Sequence, residues 1–284
     1  MMAWPVCQFA VFYIGVNMQS LLMAFSRVDM VNNTSEWTLD IFRNAFSDMF
    51  LTTNMLSFWK NSFFIYFAAL FIGLPLGLFF SFAIYKKVPL SGTFRVLLFL
   101  PSILSVLVMA TIFQIFVEEI IPVIVNQITG NKIQGMIENE TSRYGTIVFF
   151  NIWFGFGTSV LMYSNAMTGV SEEIVESAHL DGVSGFKEFF HITIPLIFPT
   201  LSTFLVTGIA SIFANQMSLY AFYGGDAPSN LQTYGYYIFV KTARATGRAE
   251  YSSLAAMGIL MSVIAIALTM FLRRLLEKYG PKED

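Results

Sequence analysis

Charge is scarce. Only 12% of the 284 residues are Asp, Glu, Lys or Arg, about half of what a soluble domain needs to cover its surface. That deficit excludes a soluble enzyme and a disordered chain. The 16 basic and 18 acidic residues leave a net charge of −2, so no positive field exists to hold nucleic acid. The one cysteine, Cys7, permits neither an internal disulfide nor a multi-cysteine metal site. His179 and His191 are the only histidines and no HExxH string occurs, which removes a zinc protease site. No GxxxxGK[ST] loop is present, so the chain does not itself bind and hydrolyse ATP in the P-loop manner.

Apolar residues, by contrast, make up 56% of the chain. They come in long blocks and do not alternate as transmembrane β-strands would. A spanning helix needs about 20 predominantly apolar residues. Six blocks qualify, at 3–25, 62–85, 94–117, 145–169, 194–221 and 252–272. The pattern predicts an all-α membrane protein of six transmembrane helices in a single domain, 1–284. The first block lacks a basic start and a small-residue cleavage site, which reads as a retained helix. Cys7 within it reads as a buried thiol at a helix end.

Six spans put both termini on one side. The two sets of loops tie in basic residues. Lys86, Lys87, Arg95, Lys187, Arg273, Arg274, Lys278 and Lys282 crowd short segments beside spans, however, and the positive-inside rule weights those. Both termini are therefore expected in the cytoplasm. On the outer side, apolar residues at 37, 39, 41, 42, 45 and 46 suit a short amphipathic helix at the interface.

The segment 171–199 is SEEIVESAHLDGVSGFKEFFHITIPLIFP. Ser171 is placed to cap a helix, with Glu172 and Glu173 in the first turn where the dipole favours anions. Gly182 supplies a left-handed residue to end it. Ser184 is placed to cap a second helix, edged by Phe186, Phe189 and Phe190. Gly182-Val183-Ser184-Gly185 also matches the GxSG string of rhomboid-type proteases. Asp181, Lys187 and Glu188 flank it, however, and charges are expensive in hydrocarbon. Ser184 thus belongs in a loop, away from membrane depth. A lipid-docking helix would be basic; this one is acidic with an apolar edge, as suits docking to a protein.

Glu176-Ser177-Ala178, Asp181-Gly182, Phe189, Ile192, Pro195 and Pro199 resemble the EAA loop of binding-protein-dependent ABC transporter permeases of the maltose-transporter type. Ser177 and Val183 stand where alanine is usual. Phe94-Arg95 with Leu100-Pro101-Ser102, and Gly224-Gly225 with Thr233 and Tyr237, extend the resemblance over nearly the whole chain. It implies a cytoplasmic coupling-helix loop between helices four and five, with Glu176, Ser177, Ala178, Asp181 and Gly182 meeting an ATPase. It implies a second homologous permease subunit, two ATP-binding subunits, and an extracellular solute-binding protein or lipoprotein. The chain would then be no enzyme and would hold no cofactor, since ATP is bound by the partners. The substrate would be a carbohydrate; glycerol phosphate is the alternative solute, and an intramembrane enzyme the alternative class.

Polar residues within spans are the candidate pathway. Residues 208, 211, 212 and 215 would share one helical face. Gly208, Ser211, Asn215 and Gln216 are expected to face the substrate, with Thr158 opposite. Asn151, Tyr163 and Asn165 on span four are further candidates. Amides, hydroxyls and rings suit a neutral sugar. No span core is expected to contain Asp, Glu, Lys or Arg.

Overall fold

The computed structural model describes residues 3–29, 34–52 and 54–281. Helix α1 (Trp4–Met23) leads through strands β1 (Ser26–Asp29) and β2 (Thr34–Trp37) to α2 (Asp40–Leu51). Then follow α3 (Met55–Tyr85), α4 (Ser91–Ile103), α5 (Val106–Thr129) and α6 (Glu140–Thr168). The short α7 (Glu172–Leu180) precedes α8 (Phe186–Leu196) and α9 (Phe198–Ser211), which meet at 69°. Finally come α10 (Leu219–Tyr223), α11 (Tyr234–Arg244) and α12 (Arg248–Tyr279).

Helices α1, α3, α5, α6 and α12 are each long and apolar enough to cross a membrane, and α8–α9 makes a sixth if the bent pair is one crossing. They leave much apolar surface outward: Phe71 on α3 is 72% exposed and Phe12 on α1 is 70% exposed. Patches of this kind are rare on a soluble monomer and suit a lipid surround, where tails solvate them.

Three buried clusters hold the bundle. One joins α5, α6 and α10 through Phe113, Phe150 and Phe222. A second seats Met49 of α2 and Phe213 against Met257 and Met261 of α12. A third packs Leu78 of α3, Tyr163 and Met167 of α6, Phe189 of α8 and Leu201 of α9.

Strands β1 and β2 depart from the all-α expectation. They form an antiparallel hairpin in which Arg27 faces Glu36 and Ser26 faces Trp37; opposite charges across a ladder support such a pair. The amphipathic helix starts after this hairpin, at Asp40, and buries Ala45 and Met49.

The expected span 94–117 is broken. Pro101 ends α4 within three residues, Leu104 is extended, and the Ser105 hydroxyl accepts from Val108 N at 3.4 Å to start α5. Proline lacks the N–H to continue a helix smoothly, whereas apolar residues on both sides hide the break from a hydropathy count. The crossing helix is therefore α5, and it carries Glu118, contrary to the expectation of uncharged spans. Glu118 accepts from the backbone N–H groups of Ile137 and Glu138. Its charge is thus spent on fixing a loop, which Arg143 also holds by donating to Ile137 O and Glu138 O, each at 2.6 Å. Cys7 is exposed, not buried, because α1 touches the bundle mainly through its second half, against α12.

Candidate functional site

Two regions bring the candidate residues together. The first is the elbow between α6 and α9. Ser171 occupies the start of α7 in extended conformation, but its side chain makes no capping bond. At the other end, Val183 N donates to Ala178 O at 2.9 Å and Gly182 N to His179 O at 3.1 Å. Gly182 sits at φ +78°. This is the paired-bond helix ending that wants glycine at the left-handed position. Gly185 (φ +58°) then redirects the chain into α8, and it is Gly185, not Ser184, that stands at the α8 start.

Val175 is the one buried residue of α7. Glu176, Ser177, Asp181 and Gly182 are exposed, and Ala178 is half-buried. Leu180 is 90% exposed and Phe186 67%. The elbow therefore presents an acidic surface with apolar projections.

Behind it lies a group the sequence did not single out. Glu188 is fully buried at 0% exposure. Lys86 Nζ, just past α3, stands 2.6 Å from one carboxylate oxygen, and His179 Nε2 of α7 stands 3.0 Å from the other. The one sequence signal for this is an acid set between Phe186 and Phe189 on an otherwise aromatic edge.

The second region is the end of α9. The helix stops at Ser211; the continuous span 194–221, with 208, 211, 212 and 215 on one helical face, is not formed. Two adjacent non-glycine residues follow in left-handed conformation, Met217 at φ +52° and Ser218 at φ +53°. Such strain persists only where the surroundings over-determine it. Here Asn151 of α6 donates to Met217 O at 2.9 Å and accepts from the Ser218 hydroxyl at 2.9 Å. The Asn215 side chain accepts from Met217 N at 2.8 Å, and Thr233 donates to Asn215 O at 2.7 Å. Gly235 lies so close that a Cβ there would stand 2.6 Å from Ala214 C, so the backbone of α11 braces the break directly. Below it, burial raises the Tyr236 phenol above its ordinary value. It stays protonated, donating to Gly224 O at 2.9 Å and accepting from Ala227 N at 3.0 Å.

Two adjoining clefts of about 220 and 230 Å³ open beside this break, between α3, α6 and α9. Gly208, Tyr66 and Asn151 line both; Ser159 and Tyr163 line the first, and Ser211 and Asn215 the second. Gln216 and Thr158 line neither; Thr158 is exposed on α6, one residue from Ser159. Tyr66 and Ser159 were not singled out in the sequence. A tyrosine in an aromatic-rich span carries no mark that separates it from packing residues.

The family described as binding-protein-dependent transport system inner membrane component matches residues 73–279. The arabinooligosaccharides transport system permease protein AraP of Bacillus subtilis (strain 168) is 26% identical over 190 residues, 65% of this chain and 59% of that protein. The galactooligosaccharides transport system permease protein GanP of the same organism is 25% identical over 246 residues, 83% of this chain and 56% of that protein. The chain thus spans a little over half the length of these two relatives. In fold, it is similar to a chain in the crystal structure of a bacterial ABC transporter involved in the import of the acidic polysaccharide alginate. The TM-score is 0.79 at 19% identity, over 98% of this chain and 94% of that one. A match that runs over most of the sequence and a shared helical architecture lead to one assignment: the chain belongs to the family of binding-protein-dependent transport system inner membrane components.

Proposed function

We propose that the chain is a permease subunit of an ATP-driven carbohydrate importer in the cell membrane, with both termini cytoplasmic. It forms half of the translocation pathway, the other half coming from a second homologous permease subunit. Two ATP-binding subunits bind on the cytoplasmic side and hydrolyse ATP there. An extracellular solute-binding protein or lipoprotein delivers the sugar. The oligosaccharide systems named for two relatives support carbohydrate as the substrate class.

The α7 elbow is the observation that carries this proposal. Glu176, Ser177, Ala178, Asp181 and Gly182 form a short projecting helix end, acidic and apolar-tipped, of which the described residues cover only Ala178 in part. Such a surface suits a protein cleft better than an anionic lipid face. We assign these five residues to ATPase coupling, as a rigid knob whose movement reaches α8 and α9 through Gly185.

The break after α9 is the proposed substrate region. Interrupted helices near the middle of a transporter commonly mark its binding site. Gly208, Ser211 and Asn215 with Asn151, Ser159, Tyr66 and Tyr163 give hydroxyls, amides and rings, and no cation lines either cleft. That chemistry suits a neutral sugar and disfavours glycerol phosphate. Gln216 joins the group as part of the same break, and Thr158 extends it on the exposed side of α6.

The test is copurification and uptake. Membranes expressing the chain with its neighbouring permease and ATPase should yield all of them in one complex, with ATP-dependent uptake of a neutral oligosaccharide from its binding protein. Uptake by liposomes holding this polypeptide alone, or a complex that carries glycerol phosphate and no sugar, overturns it.

A further inference from the structure

Glu188 is a fully buried carboxylate that the proposed function does not use. Taking a carboxylate out of water is expensive unless it is paired, and an apolar residue would hold the same space more cheaply. Apolar contact between these elements already exists. The Phe82 and Phe189 rings lie 4.9 Å apart, and Phe79 stacks on Phe186 at 6.1 Å. What Glu188 adds is direction. Its two oxygens face a lysine ammonium and a histidine ring from two other elements, Lys86 at 2.6 Å and His179 at 3.0 Å. Lys86 is itself held between the Phe82 and Tyr85 rings, 5.8 and 5.6 Å from their centroids.

The need for such a tie follows from α7. Val175 is its one buried residue, so apolar packing alone grips the helix weakly. Besides its two chain connections, His179 to Glu188 is the one side-chain hydrogen bond that α7 makes to the bundle among the described residues. Through Glu188 it continues to Lys86, at the turn joining α3 to α4.

We propose that Glu188 is a positioning residue of the transport cycle: it joins α7 to the end of α3, so that movement imposed on α7 reaches α3 and α8 together. The proposal rests on α7 being the ATPase dock. Without the tie, α7 would still dock but would swing on its glycine turn, and ATP would be hydrolysed with little transport.

The test uses the full importer, both permeases with ATPases and binding protein, in proteoliposomes, scored as sugar taken up per ATP hydrolysed. Glu188→Gln and Lys86→Glu should each lower that ratio about fivefold, a typical size for coupling between sites, while the ATPases still copurify. The exchange Lys86→Glu with Glu188→Lys should recover most of the ratio. His179→Ala, at a half-exposed position that tolerates truncation, should lower the ratio as well and decides the matter if Glu188→Gln fails to reach the membrane. A wild-type ratio in Glu188→Gln or His179→Ala overturns the proposal. So does an exchange no better than Lys86→Glu, or loss of the ATPases from Glu188→Gln. Failure of the dock itself has a separate sign: Glu176→Lys, on the exposed face, would leave the ATPases bound and transport normal.

Discussion

Replacing Asn151 by alanine should loosen the break after α9, and the size of the effect can be worked from its contacts. The Asn151 amide nitrogen donates to Ile147 O at 2.8 Å and to Met217 O at 2.9 Å, and its oxygen accepts from Ser218 at 2.9 Å. Ile147 O keeps the helical bond of α6 in the variant, so nothing is lost there. Met217 is fully buried, and a buried carbonyl left without a partner costs about 1–3 kcal/mol, while the half-buried serine bond contributes about 0.5–1.5 kcal/mol. The sum is roughly 1.5–4.5 kcal/mol. The left-handed backbone at Met217 and Ser218 carries a further strain of about 1–2 kcal/mol each, which the clasp now opposes and the variant would release by rearranging. Asn151→Asp should be worse than Asn151→Ala. It keeps the acceptor for Ser218 but sets a carboxylate oxygen against Met217 O, inside a span where charge is costly. Unfolding of the detergent-solubilised chain by SDS titration, followed by tryptophan fluorescence, measures both. An Asn151→Ala chain within about 0.5 kcal/mol of wild type, on the low side of any net hydrogen-bond contribution, or an aspartate variant more stable than the alanine one, would refute the clasp.

Gly182→Ala should cost about 1–2 kcal/mol locally from its left-handed backbone. Gly182→Pro, which also loses the bond to His179 O, should leave membrane insertion intact while transport stops; copurified ATPase at the wild-type level with normal uptake would count against the dock. The double change Asn215→Ala with Gln216→Ala should lower sugar transport, each lost contact being worth about 0.5–1.5 kcal/mol, with basal ATP hydrolysis preserved. A complex that fails to assemble would show instead that these amides hold the helix break. Glu118→Ala strands the Ile137 and Glu138 amides and should weaken the fold by about 1.5–3 kcal/mol, the range for bonds to a charged group. Limited proteolysis near 130–139 should quicken, and an unchanged cutting rate would dismiss the role.

What could be read in the sequence was what chain chemistry dictates locally. Four of the long apolar runs became α1, α3, α6 and α12, because a run of that length has few alternatives to a helix in lipid. Gly182 was legible because a helix followed at once by glycine ends there for steric reasons. The break between α4 and α5 was announced by Pro101 alone and drowned by its apolar neighbours. Met217 and Ser218 carried no announcement, since neither residue type favours a left-handed backbone. Their conformation is held by Asn151, far away in the chain. Glu188 was visible as an acid among phenylalanines, but its meaning depended on Lys86, about a hundred residues earlier. Tertiary partners of this kind leave no local pattern.

On the proposed coupling through α7, the corner between α8 and α9 would act as a crank. At 1.5 Å rise per residue, the limb Phe186–Leu196 is about 16 Å long, set at 69° to α9. Ile197 at the corner is buried and Phe186 at the far end is exposed, so the limb pivots at the corner. Turning the limb through about 10°, modest beside known subunit rotations, would sweep Phe186 through about 3 Å. A sideways stroke at the elbow would thereby become a twist along α9, delivered at Ser211, where the helix gives way.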